Sequence, residues 1–145
     1  MASEHVDELI QTDHIALEGT TTVQETIEEI RTHTPDRETT VYYVYVVGPD
    51  GELTGVVSMR DLLNAADDTP LSEIAESDVV TIQSGISAED AMTTFAEQRF
   101  NALPVVDSDG HLEGIVRAQN LIDSLDADTT KRVLRNSQSY GWFGD

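Results

Sequence analysis

The sequence predicts an α/β fold of the α+β kind, built from two copies of a β-α-β-β-α unit. Three observations carry that reading: an internal repeat, an Asp-Gly turn between β-branched runs in each copy, and helical apolar spacing upstream of each turn. Residues 49–63 read PDGELTGVVSMRDLL and residues 108–122 read SDGHLEGIVRAQNLI, and they align without a gap at an offset of 59. Asp50/Asp109, Gly51/Gly110 and Gly55/Gly114 coincide, as do the apolar pairs Leu53/Leu112, Val56/Ile115, Val57/Val116 and Leu62/Leu121. A fixed-period match of this kind marks a repeated structural unit.

Each copy opens on a short strand, Ile15–Leu17 in the first and Val79–Ile82 in the second. A helix follows. Thr22-Val-Gln-Glu25 is a capping box, and Ser87-Ala-Glu-Asp90 is a weaker version of it. Val23, Ile27 and Ile30 then recur at helical spacing in the first copy, and Ala91, Met92 and Phe95 in the second. Asp-Gly between β-branched runs predicts hairpins pairing Tyr42–Val47 with Leu53–Ser58, and Ala102–Val106 with Leu112–Val116. Each hairpin runs into a short helix, Met59–Ala65 or Ala118–Leu125. The first copy carries about six extra residues around Arg31–Thr40. Asp67–Pro70 reads as a linker, with a short helix at Leu71–Ala75 after it. The domains expected are residues 9–66, residues 71–125 and a tail, 126–145. In the tail, residues 128–136 read as a polar helix, and the aromatic residues Tyr140, Trp142 and Phe143 follow as a frayed end or as an anchor on a partner.

Composition narrows the function. Hydrophobic residues at 39% allow a buried core. No apolar run approaches the roughly eighteen residues of a membrane helix, so a soluble, cytoplasmic chain without membrane insertion is expected. With no cysteine, any metal would be held by oxygen or imidazole ligands. The eight Lys+Arg against 28 Asp+Glu give a net charge of -20, and Lys131 is the single lysine. Counterion displacement from nucleic acid needs clustered basic residues, which excludes nucleic acid as a partner. The acids are dispersed rather than gathered at one place, as on a surface adapted to high salt. Catalysis finds no support. His5, His14, His33 and His111 form no H-x-x-x-H pair, no glycine-rich phosphate loop or nucleophile elbow occurs, and Asp67/Asp68 fall in the linker.

The unit that ends in YVYVVGPDGELTGVVSMRDLL and ALPVVDSDGHLEGIV resembles the CBS domain. More narrowly, TPDRETTVYYVYVV followed by GVVSMRDLL looks like the CBS pair of MgtE-type magnesium transporters, over roughly Leu9–Val133. The resemblance implies two repeats packed as a pseudo-twofold pair, with an adenine nucleotide in the cleft between them and no catalysis. ATP is the nucleotide favoured, with AMP or ADP as alternatives. Asp61 matches the family's ribose carboxylate, and a carboxylate can accept both hydroxyl protons of a ribose. Ser58, at the helix start, is placed to meet a phosphate or to cap the helix, and Arg60 could supply positive charge. Tyr43, Val79, Val80, Phe100 and Pro104 match the base pocket. Without the resemblance, Ser58 reads as an N-cap, Asp61 as a first-turn acid, Arg60 as a surface residue, and Tyr43 and Phe100 as core.

The second repeat carries Arg117 and Asn120 where the first has Ser58 and Asp61, so its equivalent site is expected to be empty or altered, with one nucleotide per chain. Glu89, Asp123 and Asp128 match acids that face Mg²⁺ in the transporter group, whereas Arg99, Lys131 and Arg132 stand where that group tends to have acids. The partners implied are a second copy of the chain and the channel or transporter domain of a membrane protein. A ligand-free dimerisation scaffold is the alternative.

The charge generates a first prediction. Thermal stability should rise from about 0.1 M to about 1 M KCl as screening shortens from roughly 10 Å to roughly 3 Å. A melting temperature flat across that range would show that self-repulsion does not limit the fold.

Overall fold

The computed structural model describes residues 5–33, 43–98 and 100–125. The described residues form a mixed α+β fold with two three-stranded sheets. Strands β1 (Ile15–Glu18), β2 (Tyr43–Val47) and β3 (Leu53–Ser58) form one sheet in the order β1-β2-β3, and β4 (Ile82–Gln83), β5 (Ala102–Val106) and β6 (Leu112–Arg117) form the other in the order β4-β5-β6. Helices α1 (Val23–His33) and α2 (Met59–Asn64) accompany the first sheet, and α3 (Ala88–Glu97) and α4 (Ala118–Ser124) the second. The Asp128 position, Arg99, Lys131, Arg132 and the tail lie outside the described residues, as does most of the insertion before β2.

The chain divides into two compact units. The first comprises Asp13–Val79 with Asp109–Leu112; the second contains the described residues of 1–12, 80–108 and 113–145. In the first unit β1 pairs parallel with β2, and β2 pairs antiparallel with β3. Alternation along β2 sends Val44 and Val46 inward, where Val57, Ile15, Val23, Leu62 and Leu71 close the core and Ile27 and Ile30 pack against it. The Thr22 box is reciprocal: the Glu25 N–H donates to Thr22 Oγ1 at 3.2 Å and the Thr22 N–H to Glu25 Oε1 at 3.0 Å. Such a cap is worth about 1 kcal/mol. In the second unit Leu103 and Val105 take the places of Val44 and Val46, against Ala91, Met92, Phe95, Val116 and Leu121. Ser87 caps α3 by accepting from the Asp90 N–H at 3.1 Å.

Two local expectations change. The strand expected over Val79–Ile82 is only Ile82–Gln83, pairing with Val105 and Val106. The residue before that pairing is Pro104, which has no N–H to give. Its counterpart in the first unit, Tyr45, does pair, with Ala16, and β1 there is four residues long. The helix expected at Leu71–Ala75 is a single 3₁₀ turn, Leu71–Glu73.

Each unit also recruits a segment from outside its own hairpin. Residues 70–76 follow the first repeat and dock on its β3, with Val56 and Glu76 exchanging backbone hydrogen bonds at 3.0 and 2.8 Å. Residues 5–11 dock in the same way on β6, where Gln11 and Ile115 exchange bonds at 2.8 and 2.9 Å. The two segments match residue for residue, VDELIQTD (6–13) against LSEIAESD (71–78). Val6 and Leu71, the first residues of the two 3₁₀ turns, are both fully buried. The first unit also holds the tip of the second hairpin: the Leu53 N–H donates to Gly110 O at 3.0 Å and the Leu112 N–H to Gly51 O at 3.1 Å.

The docking requires a residue without a side chain on the receiving strand. A Cβ at Gly114 would lie 2.5 Å from Ile10 Cγ2 and 2.7 Å from Gln11 O. At Gly55 it would lie 3.0 Å from Ala75 Cβ and 3.2 Å from Glu76 O. Gly114→Ala should therefore cost about 1–3 kcal/mol, as overpacking does, and more than Gly55→Ala. Urea titration of both variants checks the ranking, and a Gly114→Ala protein as stable as wild type would contradict this account of the docking.

Candidate functional site

The residues with binding chemistry in the first unit gather where β3 turns into α2. Ser58 ends β3 in an extended conformation (φ -80°, ψ 159°) and caps α2, its Oγ accepting from the Asp61 N–H at 3.1 Å. Capping uses a lone pair and leaves the hydroxyl proton as a donor. The short helix is held from below by Leu62, which is buried in the core, and by Met59 packed against it. With those two turned inward, Arg60 and Asp61 are exposed. No ion pair with another described residue holds the Asp61 carboxylate.

Across the sheet, Tyr43 pairs with Ser58 at the same end. Its ring lies 6.5 Å from that of Tyr45, which meets the His14 ring edge-on at 6.3 Å. Tyr43 is half-buried, whereas Tyr45 is fully buried. The first unit thus brings together an aromatic surface at Tyr43, a hydroxyl at Ser58, a guanidinium at Arg60 and a carboxylate at Asp61. A carboxylate beside a hydroxyl suits a vicinal diol, a ring suits a flat base, and a guanidinium suits phosphate.

The remaining sequence-derived residues are placed differently. Val79 is half-buried at the end of the first unit. Val80, Phe100 and Pro104 belong to the second unit. There Val80 and Phe100 pack against the core, and Pro104 is buried in β5. The acids matched to Mg²⁺ positions also fall in the second unit. Glu89 is half-buried in the first turn of α3, and Asp123 is exposed on α4, accepting from Gln119 Nε2 at 2.9 Å. Neither belongs to a group of three or more described carboxylates and imidazoles that converges within ligand distance.

The second unit's counterpart of the Ser58 corner is built otherwise. Arg117 stands before α4 with no side-chain cap, and the first N–H of α4, on Ala118, donates to Asn101 O at 2.9 Å. The Arg117 guanidinium instead donates from Nη1 to Gln11 Oε1 at 2.9 Å, in a partly buried contact. Asn120, in the Asp61 position, is half-buried. Gln11 was not singled out by the sequence reading. Its match to Glu76 in the second docking segment is the signal that could have found it.

A CBS-domain family model matches residues 6–68 and again 71–127. The chain is 37% identical over 125 residues to the magnesium transporter MgtE of Thermus thermophilus, covering 86% of this chain and 28% of that protein. It is 35% identical over 118 residues to the MgtE of Enterococcus faecalis, covering 81% of this chain and 26% of that one. The chain therefore spans about a quarter of the length of these curated relatives. Among solved structures, the cytosolic domain of the Mg²⁺ channel MgtE in complex with ATP superposes with a TM-score of 0.78 at 36% identity, over 84% of this chain and 49% of that one. Among the described residues no helix is long and apolar enough to cross a membrane.

Proposed function

This chain belongs to the CBS-domain family, and from that premise we propose that it is a regulatory, non-catalytic module that binds an adenine nucleotide, ATP first, as the sensor part or a relative of an MgtE-type magnesium transporter. The observation that carries the reading is the exposed Asp61 carboxylate, set one helical turn from Ser58, which caps that helix and is paired across the hairpin with Tyr43. The ATP complex of a relative at 36% identity supports the choice of nucleotide. Asp61 takes the ribose hydroxyls, Ser58 and Arg60 meet phosphate, and Tyr43 and Val79 offer apolar surface to the base. Val80, Phe100 and Pro104 are proposed as base-contacting residues on the strength of the family resemblance. The surface acids adapt the module to high salt. Mg²⁺ sensing by Glu89, Asp123 and Asp128 belongs to the same proposal, and a shift of melting temperature with MgCl₂ beyond that given by equal ionic strength of KCl supports it.

Asp61→Ala removes the charged acceptor. Hydrogen bonds to charged groups are worth about 1.5–3 kcal/mol, so ATP affinity should fall roughly ten- to more than a hundredfold. Asn120→Ala should leave it nearly unchanged. Isothermal titration in molar salt reads both, and the nucleotide is misplaced if the two variants exchange these outcomes.

One observation favours dimerisation as a second role. Leu63 on α2 is 74% exposed, the one large hydrophobic residue exposed among the described residues. A homodimer that buries Leu63 should give twice the chain mass by light scattering in molar salt, and Leu63→Glu should shift it toward the monomer. If wild type dimerises and no nucleotide alters its melting temperature, the scaffold role is the one that stands.

A further inference from the structure

The two repeats present the same backbone corner to solvent with opposite chemistry, and the difference extends to a residue outside either hairpin. In the first unit the strand-to-helix corner is small and anionic: Ser58 caps α2, and Asp61 projects from its first turn. At the aligned corner of the second unit, Arg117 replaces the serine and Asn120 the aspartate. Arg117 is not a loose surface side chain. It is half-buried, and its guanidinium is held at 2.9 Å by Gln11, which is itself pinned to Ile115 by backbone bonds at 2.8 and 2.9 Å. The docked 5–11 segment thus supplies, from a backbone-anchored residue, the acceptor that meets the guanidinium at that corner.

We infer that the Gln11–Arg117 pair closes the second corner and makes nucleotide binding by this chain one-sided. The inference rests on the nucleotide reading of the first corner and adds the residues that decide stoichiometry. Three effects act together. The guanidinium fills space that a serine hydroxyl leaves open. Moving it to admit a ligand means breaking a partly buried charged hydrogen bond, which is costlier than breaking a neutral one. Asn120, being neutral, replaces the strong diol acceptor with a weak one. In the docking segment of the first unit, the position matching Gln11 is Glu76, whose side chain is exposed and makes no described bond to Ser58. The closure is therefore particular to the second unit.

The test restores the first corner's chemistry in the second. Arg117→Ser combined with Asn120→Asp should raise ATP bound per chain by one relative to wild type, read by isothermal titration and confirmed by equilibrium dialysis with labelled ATP. Adding Asp61→Ala to that double variant should leave one site, now independent of the first corner. Circular dichroism and a melt show that each variant is folded. A triple variant that binds nothing above background, or a double variant with no site beyond the wild-type number, overturns the inference. Two ATP molecules bound by wild type overturn it as well. Failure of the nucleotide reading shows separately, as a wild-type protein that binds no ATP while the increment between variant and wild type still reports on the closure.

Discussion

A backbone-to-backbone docking at one glycine in each repeat holds this structure together. Gly55 and Gly114 sit on the outer strands β3 and β6, and each lets a passing segment come close enough to exchange two backbone hydrogen bonds with the next residue, Val56 or Ile115. The 3₁₀ turns at Val6–Leu9 and Leu71–Glu73 share that anchoring with the bonds that the Val6 N–H makes to Ile86 O at 2.9 Å and the Leu71 N–H to Thr21 O at 2.8 Å, and together these seat Val6 and Leu71 in the two cores. Each fully buried aliphatic residue of this kind contributes about 1.5–3 kcal/mol. The same docking positions Gln11 beside Arg117, so chemistry at the second corner depends on it as well.

Much of this was legible in the sequence, for identifiable reasons. The repeat, the Asp-Gly hairpins and the Thr22 capping box are local signals, and the structure places each where its residues point. The apolar positions Val23, Ala91, Met92 and Phe95 are buried, as helical spacing requires. What was not legible depends on distant partners. The length of β4 is set by Pro104 on the neighbouring strand, more than twenty residues away. The docking segments lack any periodicity of their own, since a 3₁₀ turn and one bridge are too short to show one. Their match to each other becomes evident only once the structure shows both doing the same task.

The candidate site divides along the same line. Ser58, Arg60 and Asp61 follow one another along the strand–helix corner, and Tyr43 reaches it through hairpin register, so local rules were sufficient to group them. Gln11 was missed because it meets Arg117 across most of the chain's length. Val80, Phe100 and Pro104 owe their assignment to the family resemblance alone, because their burial in the second unit is what a core would produce without any ligand.

At a net charge of -20 the chain presents a poor surface to an anion such as ATP, so recognition must be local and directional. In the proposed binding mode, Arg60 and the Ser58 hydroxyl would supply the local attraction, and Asp61 would supply direction by requiring a diol. The most direct test is a set of ¹H–¹⁵N spectra of the full chain in molar KCl, recorded as ATP is added. The account predicts saturable shifts of the Tyr43, Ser58, Arg60 and Asp61 amides while those of Ala118, Gln119 and Asn120 stay in place. Saturable shifts confined to the Ala118–Asn120 amides, with the Ser58–Asp61 signals unmoved, would contradict it.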